Sequence, residues 1–201
     1  MSDQPARRVR DIVEAPPVQP AIRKLVEDDL AALLAFGAAL PNDDWLYLDI
    51  DLHTEATIMR LINAVQARNW RQFVAVIGDE IVGYASVRQL PGWKRHVGDI
   101  ALVVRSDYRR RGIGTALAEA AIDAGGELSL RKLIVEIVEE HYGAQHVFVR
   151  LGFRCEGLLE NYAIDYLDRP RNLMLLSYEP PPPHDAAGKG LPTLPGPAGV
   201  T

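Results

Sequence analysis

The chain has 201 residues, 48% hydrophobic and 24% charged, with a formal net charge of −5. That length suits one domain with a buried core, and the acidic balance argues against nucleic acid as a main partner, because phosphate binding shows as a basic domain or face. No stretch approaches the roughly 18–20 uninterrupted apolar residues of a membrane span, the first residues lack an apolar signal region, and the single cysteine, Cys155, excludes an intrachain disulfide and paired-cysteine metal or redox chemistry. The expectation is a cytoplasmic protein with neither a membrane nor a nucleic-acid partner.

Residues 1–19 mix Pro, Arg, Asp and Glu without period and are expected to be disordered. A strand is predicted near 20–25. Asp28 and Asp29 then open a helix carrying Leu30, Leu33 and Leu34. Thr54 is the expected N-cap of a second helix, whose apolar stripe is Ile58, Leu61, Ile62 and Val65. A hairpin follows: a strand over 72–77, a turn at Gly78-Asp79-Glu80, and a strand over 81–90 broken by Pro91-Gly92. Residues 96–105 form another strand. Its continuous run Ile100-Ala101-Leu102-Val103-Val104 suits a strand covered on both faces.

A loop over 106–112 leads into a helix bearing Ile113, Leu117, Ala120, Ala121 and Ala124, expected to end at Gly125-Gly126. Residues 133–138 are a buried strand. A short helix over 142–151 is closed by Gly152, and two last strands, 153–166 and 171–178, flank Asp168-Arg169-Pro170. Residues 180–201 open with four prolines and are expected to be a disordered tail. The chain thus divides into 1–19, a single α/β domain over 20–179, and 180–201. Strand 96–105, the following helix and strand 131–138 make a β-α-β unit whose strands should be parallel with a right-handed crossover.

The chemistry concentrates in Val103-Val104-Arg105-Ser106-Asp107-Tyr108-Arg109-Arg110-Arg111-Gly112-Ile113-Gly114-Thr115. A buried strand runs into a loop, and two glycines open a helix. The first helical turn has unpaired N–H groups and partial positive charge. Gly112 and Gly114 let a ligand approach the backbone, and Arg109, Arg110 and Arg111 add positive charge. Together these describe a pyrophosphate site. It is neither a Walker loop, which would end Gly-Lys-Ser/Thr, nor a dinucleotide fingerprint, since Leu117 stands where the third glycine would be.

Arg109-x-x-Gly112-x-Gly114, between that strand and an amphipathic helix, resembles the acetyl-CoA loop of the GNAT acetyltransferases. A second segment, His141-Tyr142-Gly143-Ala144-Gln145-His146-Val147-Phe148-Val149-Arg150-Leu151-Gly152-Phe153, is similar to the family's later N-x-x-A-x-x-x-Y-x-x-x-G-F helix. The resemblance covers about 20–178. It implies a GNAT fold: a mixed, mostly antiparallel sheet with a central splayed pair of parallel strands, flanked by helices. It also implies acetyl-CoA as cosubstrate, without a metal, and transfer to a primary amine of a small molecule or a protein N-terminus.

By that resemblance, CoA pyrophosphate would sit on backbone N–H groups of 109–115, Ile113 and Thr115 included. The pantetheine arm would lie along strand 96–105 in the splay. A backbone N–H near Leu102, Val103 or Val104 would polarise the acetyl carbonyl, and His141 and Phe148 would border the cofactor. Asp99 is the first candidate base for the amine and Glu136 the second. Phe148 replaces the tyrosine that often protonates the leaving thiolate, and His141 replaces the usual asparagine, so Tyr142, His141 or water would assist. Trp45, Tyr47, Asp49 and Asp51 fall where the family builds its acceptor site. A homodimer through the exposed final strands is a further implication.

Several features stay outside that chemistry. His141 and His146 are five apart with no accompanying carboxylate pair, so no metal site is expected. Cys155 reads as a buried structural residue. Phe148 opens two alternatives: a catalytically silent acyl-CoA-binding module, or a GNAT-fold transferase using a longer acyl-CoA. The segment Trp93-Lys94-Arg95-His96-Val97-Gly98-Asp99 resembles one found before the central strand in one group of these enzymes, with no substrate attached to it.

Overall fold

The computed structural model describes residues 20–42 and 50–181. The expectations for 1–19, for most of the proline-led tail, and for Trp45, Tyr47 and Asp49 lie outside the described residues. Strand β1, Ala21–Lys24, leads through a 3-10 turn at Glu27–Asp29 into helix α1, Leu30–Ala39. Asp29 does not cap that helix in the usual way. Its buried carboxylate accepts two 2.7 Å bonds from the Arg23 guanidinium and one of 2.9 Å from the Val26 N–H. The Arg23 hydrogen bonds hold its carboxyl below the ordinary range, against the opposing effect of burial.

Helix α2, Glu55–Asn63, begins at Thr54 as expected, but the Thr54 hydroxyl donates to Thr57 Oγ1 (2.8 Å) rather than accepting from the first-turn backbone. Its stripe of Ile58, Leu61 and Ile62 is buried. Gln72 anchors it to the sheet: its Nε2 donates to Leu61 O and its Oε1 accepts from Tyr84 OH, each at 2.8 Å, so a buried amide is satisfied at both ends.

Strands β2, Trp70–Ile77, and β3, Glu80–Gln89, form the hairpin, joined by Gly78-Asp79 with Gly78 at φ +60. Strand β4, Val97–Val104, runs antiparallel to β3. Helix α3, Ile113–Glu127, crosses to β5, Lys132–Val138, which pairs parallel with β4. Helix α4, Tyr142–Arg150, precedes β6, Arg154–Ile164, and β7, Pro170–Tyr178. Among the described residues, seven strands lie in the order β1-β2-β3-β4-β5-β7-β6, all neighbours antiparallel except β4 and β5. This is the predicted mixed sheet with its one parallel pair.

Each face of the sheet buries its own core. On one, Val87, Ile100, Leu133 and Leu176 pack under Leu117 of α3 and Phe148 of α4. On the other, Val74, Tyr84 and Val103 pack under α1 and α2. The period-2 alternation of β4 therefore puts Gly98, Ile100, Leu102 and Val104 toward α3, and Asp99, Ala101 and Val103 toward α1 and α2.

Helix α3 corrects the expected stop at Gly125-Gly126: both glycines lie in its last turn. Gly125 is small because a Cβ there would meet Leu133 of β5 at 2.8 Å. Ser129, at φ 55, is the left-handed residue that ends the helix, with Ser129 N–H bonded to Gly126 O and Leu130 N–H to Gly125 O. Cys155 is a second correction. It is exposed, because β6 is the outer edge strand and most of its residues face solvent.

Helix α4 closes in the same way as α3. Gly152 sits at φ +93, its N–H bonds Val149 O, and Phe153 N–H bonds Phe148 O. The two phenylalanines then touch edge to face, centroids 5.0 Å apart, and Phe153 stacks on Tyr178 of β7. Gly152→Ala forces a side chain into a left-handed conformation and should cost about 1–2 kcal/mol, read as a drop of several degrees in the melting temperature.

The β6–β7 turn is built around Asp165, which is 2% exposed. Its carboxylate accepts from the backbone N–H of Leu167 and Arg169 and from the Arg169 and Arg171 side chains. Burial pushes its pKa up, but these hydrogen bonds prevail and bring it down to about 2. A carboxyl depressed in the fold stabilises fully above its unfolded value of about 3.9, and that contribution is lost as the pH falls through about 2. The stability difference between wild type and Asp165→Asn should therefore be constant above about pH 5 and shrink steadily below pH 4 in acid titrations.

Candidate active site

The parallel pair is short. Val97, Gly98 and Asp99 register with Lys132, Leu133 and Ile134, and no pairing follows. Beyond Asp99, β4 stays paired with β3 as far as Val104, and β5 stays paired with β7 as far as Val138. Only the edges that β4 and β5 turn to each other come apart. A narrow cleft opens beside this gap, bordered by Leu102, Val135, Glu136, Ile137, His141, Ala144 and Phe148.

The glycine loop sits above the same gap. Gly112, at φ +81, is in the left-handed region that favours glycine, and it forms the N-cap of α3. Gly114 is different. A Cβ there would meet nothing closer than Val104 at 3.8 Å, Leu102 at 3.9 Å and Val147 at 4.0 Å, all ordinary contacts. The protein's own packing does not require the missing side chain, and Leu102 belongs both to this hollow and to the cleft below it.

The arginines around the loop also shape it. Arg109 Nε donates to Val104 O (2.9 Å), tying the loop to the end of β4. Arg111 donates to Asp107 O and lies over the Tyr108 ring, and Arg105 pairs with Asp107 and Glu80. Arg110, at φ 62, is exposed. Ile113, the first residue of α3, is buried against the sheet, and Thr115 is half-buried in the same first turn.

The two candidate bases separate. Glu136 borders the cleft. Asp99 stands at the last paired position of β4 and faces Arg88 across the sheet, with 3.7 Å between Oδ2 and Nη2. His141 is the N-cap of α4, with its N–H bonded to Val138 O and its Nδ1 buried. Phe148 is 1% exposed, so it is a core residue that also walls the cleft. Tyr142 is 72% exposed and is not among the cleft residues. Asp51, expected among acceptor residues, accepts from the backbone N–H of His53, whose ring reaches both Asp51 Oδ1 and Leu40 O. Sequence reasoning missed that pairing; its only trace was Asp51 and His53 two positions apart. Trp93 is 88% exposed on the 3-10 turn Gly92–Lys94 and is not among the cleft residues.

Residues 32–153, more than half of the chain, match the Acetyltransferase (GNAT) family. The chain belongs to the GNAT acetyltransferase family. It is 27% identical over 103 residues to an N-alpha-acetyltransferase of Saccharolobus solfataricus, an alignment spanning 46% of this chain and 62% of that protein. It is 37% identical over 108 residues to N-alpha-acetyltransferase 30 of Xenopus laevis, spanning 51% of this chain and 39% of the relative. The chain thus spans less than two thirds of these curated relatives. A phosphinothricin acetyltransferase of Sinorhizobium meliloti, solved in complex with AcCoA, shares the fold at TM-score 0.68 and 18% identity, covering 85% of this chain and 96% of that one. Among the described residues, no helix is long and apolar enough to cross a membrane.

Because no protein atom fills the place of a Gly114 side chain, Gly114→Ala should leave stability unchanged or raise it by up to about 1 kcal/mol through helix propensity. Denaturant melts of the two proteins check this.

Proposed function

We propose that this protein is an N-acetyltransferase that moves the acetyl group of acetyl-CoA to the α-amino group of a peptide or small molecule by direct attack. One observation carries the reading: the parted edges of β4 and β5 open directly beneath a glycine-lined helix start. A buried sheet that leaves backbone donors and acceptors unpaired at its centre needs something to pair with them. An extended, amide-bearing pantetheine arm is a small-molecule form of strand addition. The α-amine is supported by the activities of the relatives, which include the two N-alpha-acetyltransferases above and an L-amino acid N-acetyltransferase of Escherichia coli.

The residues present fit the cosubstrate. The N–H groups at the start of α3, with Gly112 and Gly114 free of side chains, receive the pyrophosphate on the positive end of the helix. Arg110, exposed beside them, adds charge to that end. The free edge of β4 along Leu102, Val103 and Val104 holds the arm and directs a backbone N–H at the thioester carbonyl, stabilising negative charge as it develops on oxygen. Glu136 takes the proton released by the attacking amine, directly or through one water. It is favoured over Asp99 because it borders the cleft, whereas Asp99 faces Arg88.

Calorimetry should show acetyl-CoA and CoA binding to the purified protein well above ATP. Gly114→Ala should weaken acetyl-CoA at least tenfold while folding as well as the wild type; equal affinity in the two proteins would remove the glycine hollow from the site. With an amine acceptor in hand, Glu136→Gln should lower kcat by about 10²-fold or more, and Asp99→Asn by much less.

A further inference from the structure

We infer that His53 is held as an imidazolium and latches the end of helix α1 to the turn that starts α2, so that the tie opens as the pH rises. The inference stands apart from the acetyl-transfer reading and rests on two contacts of one ring. Nδ1 lies 3.0 Å from Asp51 Oδ1, and Nε2 lies 2.9 Å from the carbonyl oxygen of Leu40. A carboxylate and a carbonyl oxygen both accept and neither donates. A neutral imidazole donates from one nitrogen and carries a lone pair on the other, so it would satisfy one contact and set lone pair against lone pair at the other. The imidazolium donates to both. Where a carboxyl and an imidazole share one proton, the imidazole holds it, being the stronger base by roughly two and a half pH units.

The local sequence calls for a cation at this place. Helix α1 has no basic residue in its last turn to meet the negative end of its dipole. Leu40, which ends it, is extended at ψ 133, as suits a residue before Pro41. His53, thirteen positions on, brings positive charge to the Leu40 carbonyl. The chain also packs tightly there, since a Cβ on Gly37 would lie 2.0 Å from Leu52 O. On the other side of the ring, Asp51 Oδ1 accepts from the His53 N–H at 2.9 Å, and Asp51 O accepts from the hydroxyl of Thr54, the N-cap of α2. Asp51, expected among acceptor residues, is in this reading the counter-ion of the latch.

Other charges leave that pairing in place. Among the described residues, α1 carries no titratable side chain, Glu55 in the first turn of α2 is exposed, and Arg60 one turn later donates to Thr57. The remaining acids of the α1–α2 connection, Asp43, Asp44 and Asp49, lie outside the described residues, and as carboxylates their charge has the sign of Asp51. The ring is 30% exposed, so its protons exchange with solvent without unfolding.

A group held in its protonated form stabilises the fold fully below the value of its unfolded state, and that contribution is lost as the pH rises through its folded value. For a histidine the window therefore opens upward from about 6.5. The latch is closed in acid and released in base.

The test needs neither cosubstrate nor acceptor. Long-range proton–nitrogen NMR spectra distinguish a ring protonated on both nitrogens from either neutral form. They are recorded across the neutral range on wild type and Asp51→Asn, with His53→Gln assigning the signals. In wild type near neutral pH both nitrogens of His53 should be protonated, and the ring should titrate about one pH unit or more above its midpoint in Asp51→Asn. The urea midpoint of wild type should exceed that of His53→Gln below the His53 titration, and the difference should fall at least about twofold above it. A ring that is neutral near neutral pH, or that titrates identically in wild type and Asp51→Asn, would overturn the latch. A stability difference that stays constant through the titration would mean that the charge ties nothing, and overturns it too. The wild-type spectrum decides the protonation state even where a variant fails to fold.

Discussion

Backbone hydrogen bonding at the centre of the sheet is the constraint on which the rest of this molecule depends. Strands β4 and β5 share three registered positions and then separate, yet each keeps its other neighbour to its end. Buried amides left unpaired are costly, so the gap is stable only because solvent reaches it or a ligand completes it. The helices fix where it opens. Gly98 on β4 leaves no space for a side chain, since a Cβ would lie 2.4 Å from Leu130 and 2.9 Å from Leu133. That close packing holds the strands together at one end, and α4 with Phe148 walls the cleft at the other.

Two helix ends border the gap. The start of α3 presents N–H groups above it, with Gly112 in a left-handed conformation and Gly114 small for no reason internal to the protein. The start of α4 brings His141 to its border. The close of α4, through Gly152 and the Phe148–Phe153 contact, fixes that helix against β7. A segment that resembled a ligand motif in sequence therefore does structural work at its last two residues and borders the cleft at its first.

The sequence disclosed the element order, the β-α-β unit and the glycine loop because each rests on local pattern: the apolar run 100–104, the stripe of α3, the paired glycines. Non-local facts were less legible. Nothing in the pattern of 153–178 says that β7 slips between β5 and β6, which is what leaves Cys155 exposed on an edge strand. Gly125-Gly126 looked like a helix stop, and the reason for Gly125, Leu133 on a strand eight residues later, exists only after folding. The sequence ranked Asp99 ahead of Glu136 as a base, whereas the end of the parallel pairing sets Asp99 against Arg88 and Glu136 at the cleft.

The central claim is that the parted edges of β4 and β5 form a binding site completed by the cosubstrate backbone. Amide hydrogen exchange with and without saturating acetyl-CoA tests it most directly. Protection should rise at the amides of 100–104 and at the start of α3, 112–116, while the β2–β3 hairpin stays unchanged. Unchanged exchange over both segments under conditions where the ligand is bound would place acetyl-CoA elsewhere and contradict the account.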